Sequence, residues 1–383
     1  MTALAIGFPF TADRFGGSNV SSFVLARALA AAGHRIRVIA HGEGRVLDEA
    51  KNVGFEVERL PALSAVPGYE RPDRFRIEQM LAFSACRDAI RRLRLDIVHT
   101  NDLGMLRTWA FPALSLGTAL VAHWRSNYQQ SWSVDAGLGI ARAIIAISNY
   151  SAAALPHWAR QKTTVEYNPL DLQYDAARRD GIRLRLRVDL GLPPDAAVIG
   201  IFGNHLVRKR THVLADVLAA IPVTSDGRQV FGLACGARAE PYDYLLDKKV
   251  ESFALAERLL RPGFVRPVED WMGACDVVLA PAINEPLGRS VLEAQALGVP
   301  VVLSTDGGFR ELVVDGQTGL ICEPYDLNAW IVATRRLLDD RRLATALADA
   351  AGAVSSRLRP DAHARRVVAV YRSVLRQNDS EAA

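Results

Sequence analysis

The chain has 383 residues, half of them hydrophobic, with four cysteines and a formal charge of +4. That length holds two ordinary cores of roughly 100 to 200 residues each, and the small charge gives no ground for a nucleic-acid partner. Cys86, Cys235, Cys275 and Cys322 show no paired spacing, which argues against a disulfide framework or a C-x-x-C metal knuckle and suits a reducing cytoplasm.

The opening MTALAIGFPFTADRF has no basic leader before its apolar stretch, so it reads as a first strand and not as a secretory signal. Short apolar runs then alternate with longer helical patterns, as in βα units that stack into parallel sheets covered by helices. The class is α/β. Strands are expected at Ala3–Phe10, Arg35–Ala40, Asp96–Thr100, Thr118–His123, Ala143–Ser148 and Thr163–Glu166, with helices at Asn19–Ala32, closed by Gly33, and at Asp73–Leu93. After Asn168-Pro169-Leu170-Asp171 a polar, Arg-rich stretch ends in Gly191-Leu192-Pro193-Pro194, and this break divides residues 1–170 from 171–360. The second series expects strands at Ala197–Phe202, Gln229–Ala234, Asp276–Ala280, Val299–Leu303 and Leu320–Cys322. A last helix, Asp361–Arg376, spaces Val367, Val370, Tyr371 and Val374 on one face and so must pack somewhere. Residues 361–383 are read as that helix, crossing back to the first lobe, and a polar tail.

The uncharged stretch Trp109–Trp124 has 16 residues and is broken by Pro112 and Gly117, short of the roughly 20 that a membrane helix needs. Residues 1–170 hold 19 Lys/Arg against 14 Asp/Glu, whereas the remainder holds 27 against 28. Arg87, Arg91 and Arg94 share one helical face in that basic half and could make a peripheral contact with an anionic membrane surface. A solvated helix face is the plainer explanation.

The most informative stretch is Pro281–Pro300, PAINEPLGRSVLEAQALGVP. A strand ends, a loop presents Glu285, and a helix begins near Gly288, where unpaired N–H groups and a positive dipole end suit a diphosphate. Glu293 lies a turn and a half inside that helix, placed to accept hydrogen bonds from a diol. A Glu pair at arbitrary spacing is usually a pair of solvated charges. Here Gly307-Gly308 with Glu311 follows the next strand, and Asp315-Gly316 with Gly319 closes a tight turn.

With that company the chain resembles the family-4 glycosyltransferases of the GT-B fold, whose E-x7-E is matched by Glu285-Pro286-Leu287-Gly288-Arg289-Ser290-Val291-Leu292-Glu293. The resemblance implies two Rossmann-like lobes with an interlobe cleft, an N-terminal lobe that binds the acceptor and a C-terminal lobe that binds the nucleotide sugar. It also implies that Glu285 contacts the transferred sugar, Glu293 the ribose hydroxyls, and the backbone of Leu287, Gly288 and Arg289 the diphosphate. Leu287 replaces the family's commoner aromatic. Gly203-Asn204-His205-Leu206-Val207-Arg208-Lys209 looks like the family's G-R-x4-K loop with Lys209 in register. Asn204 stands where the family has Arg, and Arg210 where it has Gly, so Arg208 or Arg289 is the candidate for the missing cation. Gly16-Gly17 before the first helix resembles the family's glycine-rich loop, and His123, at a strand end, its donor-sugar histidine. His99, at a similar strand end, is read as structural.

No G-x-G-x-x-G, G-x4-G-K-[ST] or D-x-D spacing occurs, and no two histidines pair at i+4, so neither a nicotinamide cofactor nor a metal is expected. The expectation is a retaining, metal-independent, hexosyltransferase-type enzyme with a UDP-sugar favoured. Its acceptor would be a sugar, a lipid-linked molecule or a small molecule, met in the cytoplasm or at the inner face of a membrane. The alternatives are a nucleotide-sugar epimerase or hydrolase of the same fold, and a non-catalytic nucleotide-sugar-binding subunit.

Overall fold

The structure is a computed structural model, and it describes residues 2–12, 15–63, 72–128, 130–172, 176–238 and 242–381. The chain forms two compact units, residues 1–169 with 358–383, and residues 170–357.

The first unit runs β1 (Ala5–Thr11), α1 (Gly17–Ala31), β2 (Arg35–His41), α2 (Arg45–Asn52), β3 (Val57–Leu60), α3 (Pro72–Leu93), β4 (Ile97–Thr100) and α4 (Leu103–Leu114). It continues with β5 (Ala119–Trp124), α5 (Trp132–Ile140), β6 (Ala143–Ala146), α6 (Asn149–Ala153), α7 (His157–Arg160) and β7 (Thr163–Val165). Its seven strands are parallel, in the order β3-β2-β1-β4-β5-β6-β7. Strands covered on both faces should be apolar throughout, and β4, β5 and β6 are buried at every residue. Gly33, φ +88°, follows α1 in the left-handed conformation that commonly closes a helix.

The second unit runs α8 (Ala176–Asp189), β8 (Ala197–Phe202), α9 (Val213–Ala220), β9 (Val230–Cys235), α10 (Asp243–Ser252), β10 (Leu259–Gly263) and α11 (Val268–Gly273). It ends with β11 (Val277–Ala280), α12 (Arg289–Ala296), β12 (Val301–Ser304), β13 (Leu320–Cys322), α13 (Leu327–Asp339) and α14 (Arg341–Ser355). Six parallel strands lie in the order β10-β9-β8-β11-β12-β13. Both sheets put their first strand inside and reverse direction beside it, the topology of a Rossmann-like lobe.

The last helix, α15 (Pro360–Glu381), belongs to the first unit. Its Ala364, Val367, Val368, Tyr371 and Val374 join the core formed by β1, α1 and β2, so the apolar stripe of this helix is buried against that sheet.

Two strands, β3 and β10, have no counterpart in the sequence reading. Both are edge strands, where charged residues and proline are tolerated because one side of the ladder is unpaired. Glu58, Arg59, Arg261 and Pro262 hide them. The arginine face on α3 also changes. Arg94 lies beyond the helix in a left-handed conformation (φ +48°), and the half-buried Arg87 sits over the Phe83 ring at 5.7 Å. The sequence leaves the choice of sugar and acceptor to the shapes of loops such as Val66–Arg76, of which residues 66–71 lie outside the described residues.

Candidate functional site

In the second unit two loops meet at the C-terminal ends of the central strands. The first leaves β8 through Gly203, φ +134°, where a side chain would press on Lys209, its Cβ 3.4 Å from Cε. Gly236, after β9, is tighter still, since a Cβ there would stand 2.0 Å from the Gly203 carbonyl. The loop closes in a single 3-10 turn, Val207–Lys209, and Arg210 follows in the left-handed region with φ 50° and ψ 42°. That conformation is the physical reason for a glycine at this position. Arg210 offsets the strain by donating to the carbonyls of Pro324 and, at 3.5 Å, Pro281, and by lying 4.7 Å over the Tyr325 ring.

The second loop joins β11 to α12. Ile283 N–H donates to the Arg208 carbonyl at 2.8 Å, which stitches the two loops together. Glu285 accepts from Gly308 N–H at 2.8 Å through its carbonyl, and a Cβ on Gly307 would come 2.8 Å from the same oxygen. Gly307 is thus required by close backbone approach. Gly288 caps α12 in the left-handed region, φ 85°, with Phe309 packed so closely that a Cβ would sit 2.7 Å from its ring. Leu287 is buried at 1 % exposure, so only its backbone can face a ligand.

These loops border a shallow depression lined by Gly203, Lys209, Glu285, Gly288, Ser290 and Phe309 among others. Lys209 Nζ stands 2.8 Å from Glu285 Oε2, and Arg208 donates to the same oxygen. Burial alone would raise the Glu285 pKa, but the Lys209 and Arg208 charges pull it below the ordinary value, so the carboxylate stays charged. Glu293 goes the other way: burial raises it, only partly offset by Arg289, whose Nε lies 2.7 Å from Oε1. Asn204 is exposed, and its Oδ1 accepts from Ala237 N–H at 3.2 Å. Lys209, Glu285, Leu287, Gly288, Arg208, Arg289 and Glu293 are therefore gathered in one unit by two loops. Each carboxylate of the pair has its own arginine.

Gly16, Gly17 and His123 lie in the first unit. Gly16 caps α1 in extended backbone, its N–H donating to Asn19 Oδ1 at 3.0 Å. His123, at the end of β5, is buried, with His99 Nε2 3.1 Å and Arg125 Nη2 3.2 Å from its Nδ1. Around it lie Tyr371, whose hydroxyl meets His99 Nδ1 at 2.7 Å, and His363, stacked on His123 at 6.0 Å. Sequence reasoning missed this cluster because its members come from β4, β5 and α15. His99 and His123 were visible at two strand ends, and the apolar spacing around Tyr371 was the cue for the helix that joins them. Among the described residues, no three His, Cys, Asp or Glu side chains are grouped so as to hold a metal ion, and no helix is long and apolar enough to cross a membrane.

Residues 15–174 match the family described as Glycosyltransferase Family 4, and residues 183–353 the family described as Glycosyl transferases group 1. The chain belongs to the family-4 glycosyltransferases of the GT-B type. A lipopolysaccharide core biosynthesis mannosyltransferase, LpsB, from Rhizobium meliloti (strain 1021) is 38 % identical over 192 residues, 49 % of this chain and 54 % of that one. A D-inositol 3-phosphate glycosyltransferase from Corynebacterium urealyticum is 33 % identical over 193 residues, 48 % of this chain and 45 % of the other. The chain thus spans about half the length of the curated relatives it matches. Among solved structures, Anabaena Alr3699/HepE in complex with UDP and glucose superposes with a TM-score of 0.82, at 22 % identity, over 97 % of this chain and all of that one. Sucrose-phosphate synthase from Thermosynechococcus elongatus gives 0.79 at 20 %, over 98 % of this chain and 100 % of the other. At such identities these two speak for the glycosyltransferase fold alone.

Proposed function

We propose that this family-4 glycosyltransferase moves a hexosyl group from a nucleoside diphosphate sugar, UDP-linked before others, to a sugar, lipid-linked or small-molecule acceptor. Anomeric configuration is retained and no metal takes part. The observation that carries the reading is the pairing of Lys209 and Arg208 with one buried carboxylate, Glu285, beside the N-terminus of α12. An ammonium has three donors, so Lys209 can serve Glu285 and phosphate oxygens together. As the bond from the anomeric carbon to the β-phosphate breaks, negative charge grows on the diphosphate. Lys209, Arg208 and the N–H groups after Gly288 are already oriented to stabilise it. The acceptor oxygen bonds to the anomeric carbon on the face the phosphate leaves, and its proton passes to that phosphate. Glu285 holds sugar hydroxyls, Glu293 accepts from the ribose diol, and His123 donates to the sugar. The UDP and glucose bound by the Anabaena neighbour and the mannosyl transfer named for the Rhizobium relative support a UDP-linked donor and a hexosyl group.

The test is calorimetry with UDP, GDP, ADP and dTDP in EDTA, followed by product analysis with the matching sugar. Binding without metal, and a product with the donor's anomeric configuration, are expected. Affinity that vanished on chelation and returned with magnesium or manganese would overturn the metal-free reading.

A further inference from the structure

The cluster around His123 fixes where its proton sits. A guanidinium has five N–H donors and no acceptor, so Arg125 Nη2, 3.2 Å from His123 Nδ1, requires that nitrogen to accept. The ring is neutral, because burial, followed by the nearby Arg125, His99 and His363, holds its pKa well below the ordinary 6.5. Its one proton is then on Nε2. His99 Nε2, 3.1 Å from the same acceptor, must donate to it, and His99 is neutral for the same reason of burial. His99 Nδ1 is left as an acceptor for the Tyr371 hydroxyl at 2.7 Å, a phenol that burial keeps protonated. Every direction in the chain Tyr371 to His99 to His123 follows from the one group that cannot accept.

At the end of this chain, His123 Nε2 is a buried nitrogen with no hydrogen-bond partner among the described residues. A buried donor left unpaired costs free energy, so a network that holds one in place calls for an acceptor. We propose that Arg125, His99 and Tyr371 are positioning residues that fix His123 as the Nε2–H tautomer, offering a hydrogen-bond donor to an acceptor oxygen of the transferred sugar. The identity of that acceptor rests on the function proposed above, whereas the direction of the chain does not. Tyr371 lies 272 residues from His99, and so the last helix reaches the site through two imidazoles.

The experiment is a long-range ¹H–¹⁵N spectrum of the full, ligand-free chain labelled with ¹⁵N-histidine. His99 and His123 are assigned by their substitution. Both are expected to be protonated on Nε2 and bare on Nδ1. Arg125→Met should spread the His123 proton over both nitrogens, because the reverse chain then becomes available. Arg125 also holds Asn168, so Tyr371→Phe, which removes a single hydroxyl, is the second variant and should shift the His99 Nδ1 resonance. A wild-type His123 carrying its proton on Nδ1, an Arg125→Met spectrum still wholly Nε2–H, or unmoved His99 signals in Tyr371→Phe would each overturn the proposal. Expected tautomers together with full turnover in His123→Ala would instead take His123 out of the sugar contact, a failure that the spectra separate from the others.

Discussion

Arg208 and Arg289 were equivalent candidates in sequence, and their partners distinguish them. Arg208 shares Glu285 Oε2 with Lys209, while Arg289 lies along α12 on Glu293. Arg208→Ala should therefore remove a charge-assisted phosphate contact worth about 1.5 to 3 kcal/mol, roughly ten- to a hundredfold in kcat/KM, and Asn204→Arg should partly restore it. If Arg208→Ala keeps full activity while Lys209→Ala abolishes it, one lysine and the helix dipole suffice. The carboxylates separate in the same way. Glu293→Gln should weaken binding of UDP with no sugar attached, whereas Glu285→Ala should not, since it relieves Lys209 and Arg208 of a competing anion. Equal UDP affinities in both variants and wild type, measured by calorimetry, would overturn the assignment of roles. Gly288→Ala adds a Cβ 2.7 Å from Phe309 at a φ of 85°. A cost of about 1 to 2 kcal/mol from the left-handed backbone alone should appear in a denaturant melt.

At the scale of elements, α12 and α15 place the chemistry by different means. α12 begins where Gly288 turns the chain, and the unbroken run Val291 to Ala296 is buried, so the helix is enclosed all round and the position of its N-terminus is set by packing. α15 closes the first unit's core through Val367, Val368, Tyr371 and Val374, with Arg366 on the buried Glu166. Tyr371→Ala should cost about 3 to 5 kcal/mol, as large-to-small changes at fully buried aromatics do, and chemical denaturation should register the loss in the first unit. Unchanged stability there would mean that the helix docks only weakly.

For the whole molecule, acid sensitivity should be uneven. His41, with pKa lowered to about 4, and His363, lowered to about 3, join His99 and His123, which lie well below the ordinary 6.5. All four are in the first unit, and desolvation by burial is the leading cause for each. In such a group the unfolded chain takes up a proton first. Its contribution is complete above pH 6.5 and is lost as pH falls toward the folded value, at up to about 1.4 kcal/mol per pH unit for each histidine. The second unit has one histidine lowered in this way, His212, and its lowered carboxylates, Asp276 and Glu285, act only below their ordinary 3.8 and 4.5. Between pH 6.5 and 4.5 the first unit should weaken before the second, as proteolysis in denaturant with mass spectrometry would reveal. Loss of the second unit first, on acidification, would contradict the burial of these histidines.

The alternation of apolar runs and amphipathic stretches determined the class, because a strand covered on both faces has to be apolar and a covering helix has to carry a stripe. Glu285, Gly288 and Glu293 were legible too, since a strand end, a turn and a helix start are local and lie within nine consecutive residues. β3 and β10 were not, as edge strands carry the charges that mask a strand. The glycines 236 and 307 could be counted in sequence but not explained, for their reason is a backbone from another loop at 2.0 and 2.8 Å from where a Cβ would be. Only the tertiary structure decided which cation meets which carboxylate, and that a tyrosine from the last helix lies against His99. Local order follows from neighbours along the chain, whereas a buried charge or imidazole is settled by whatever the folded chain brings against it.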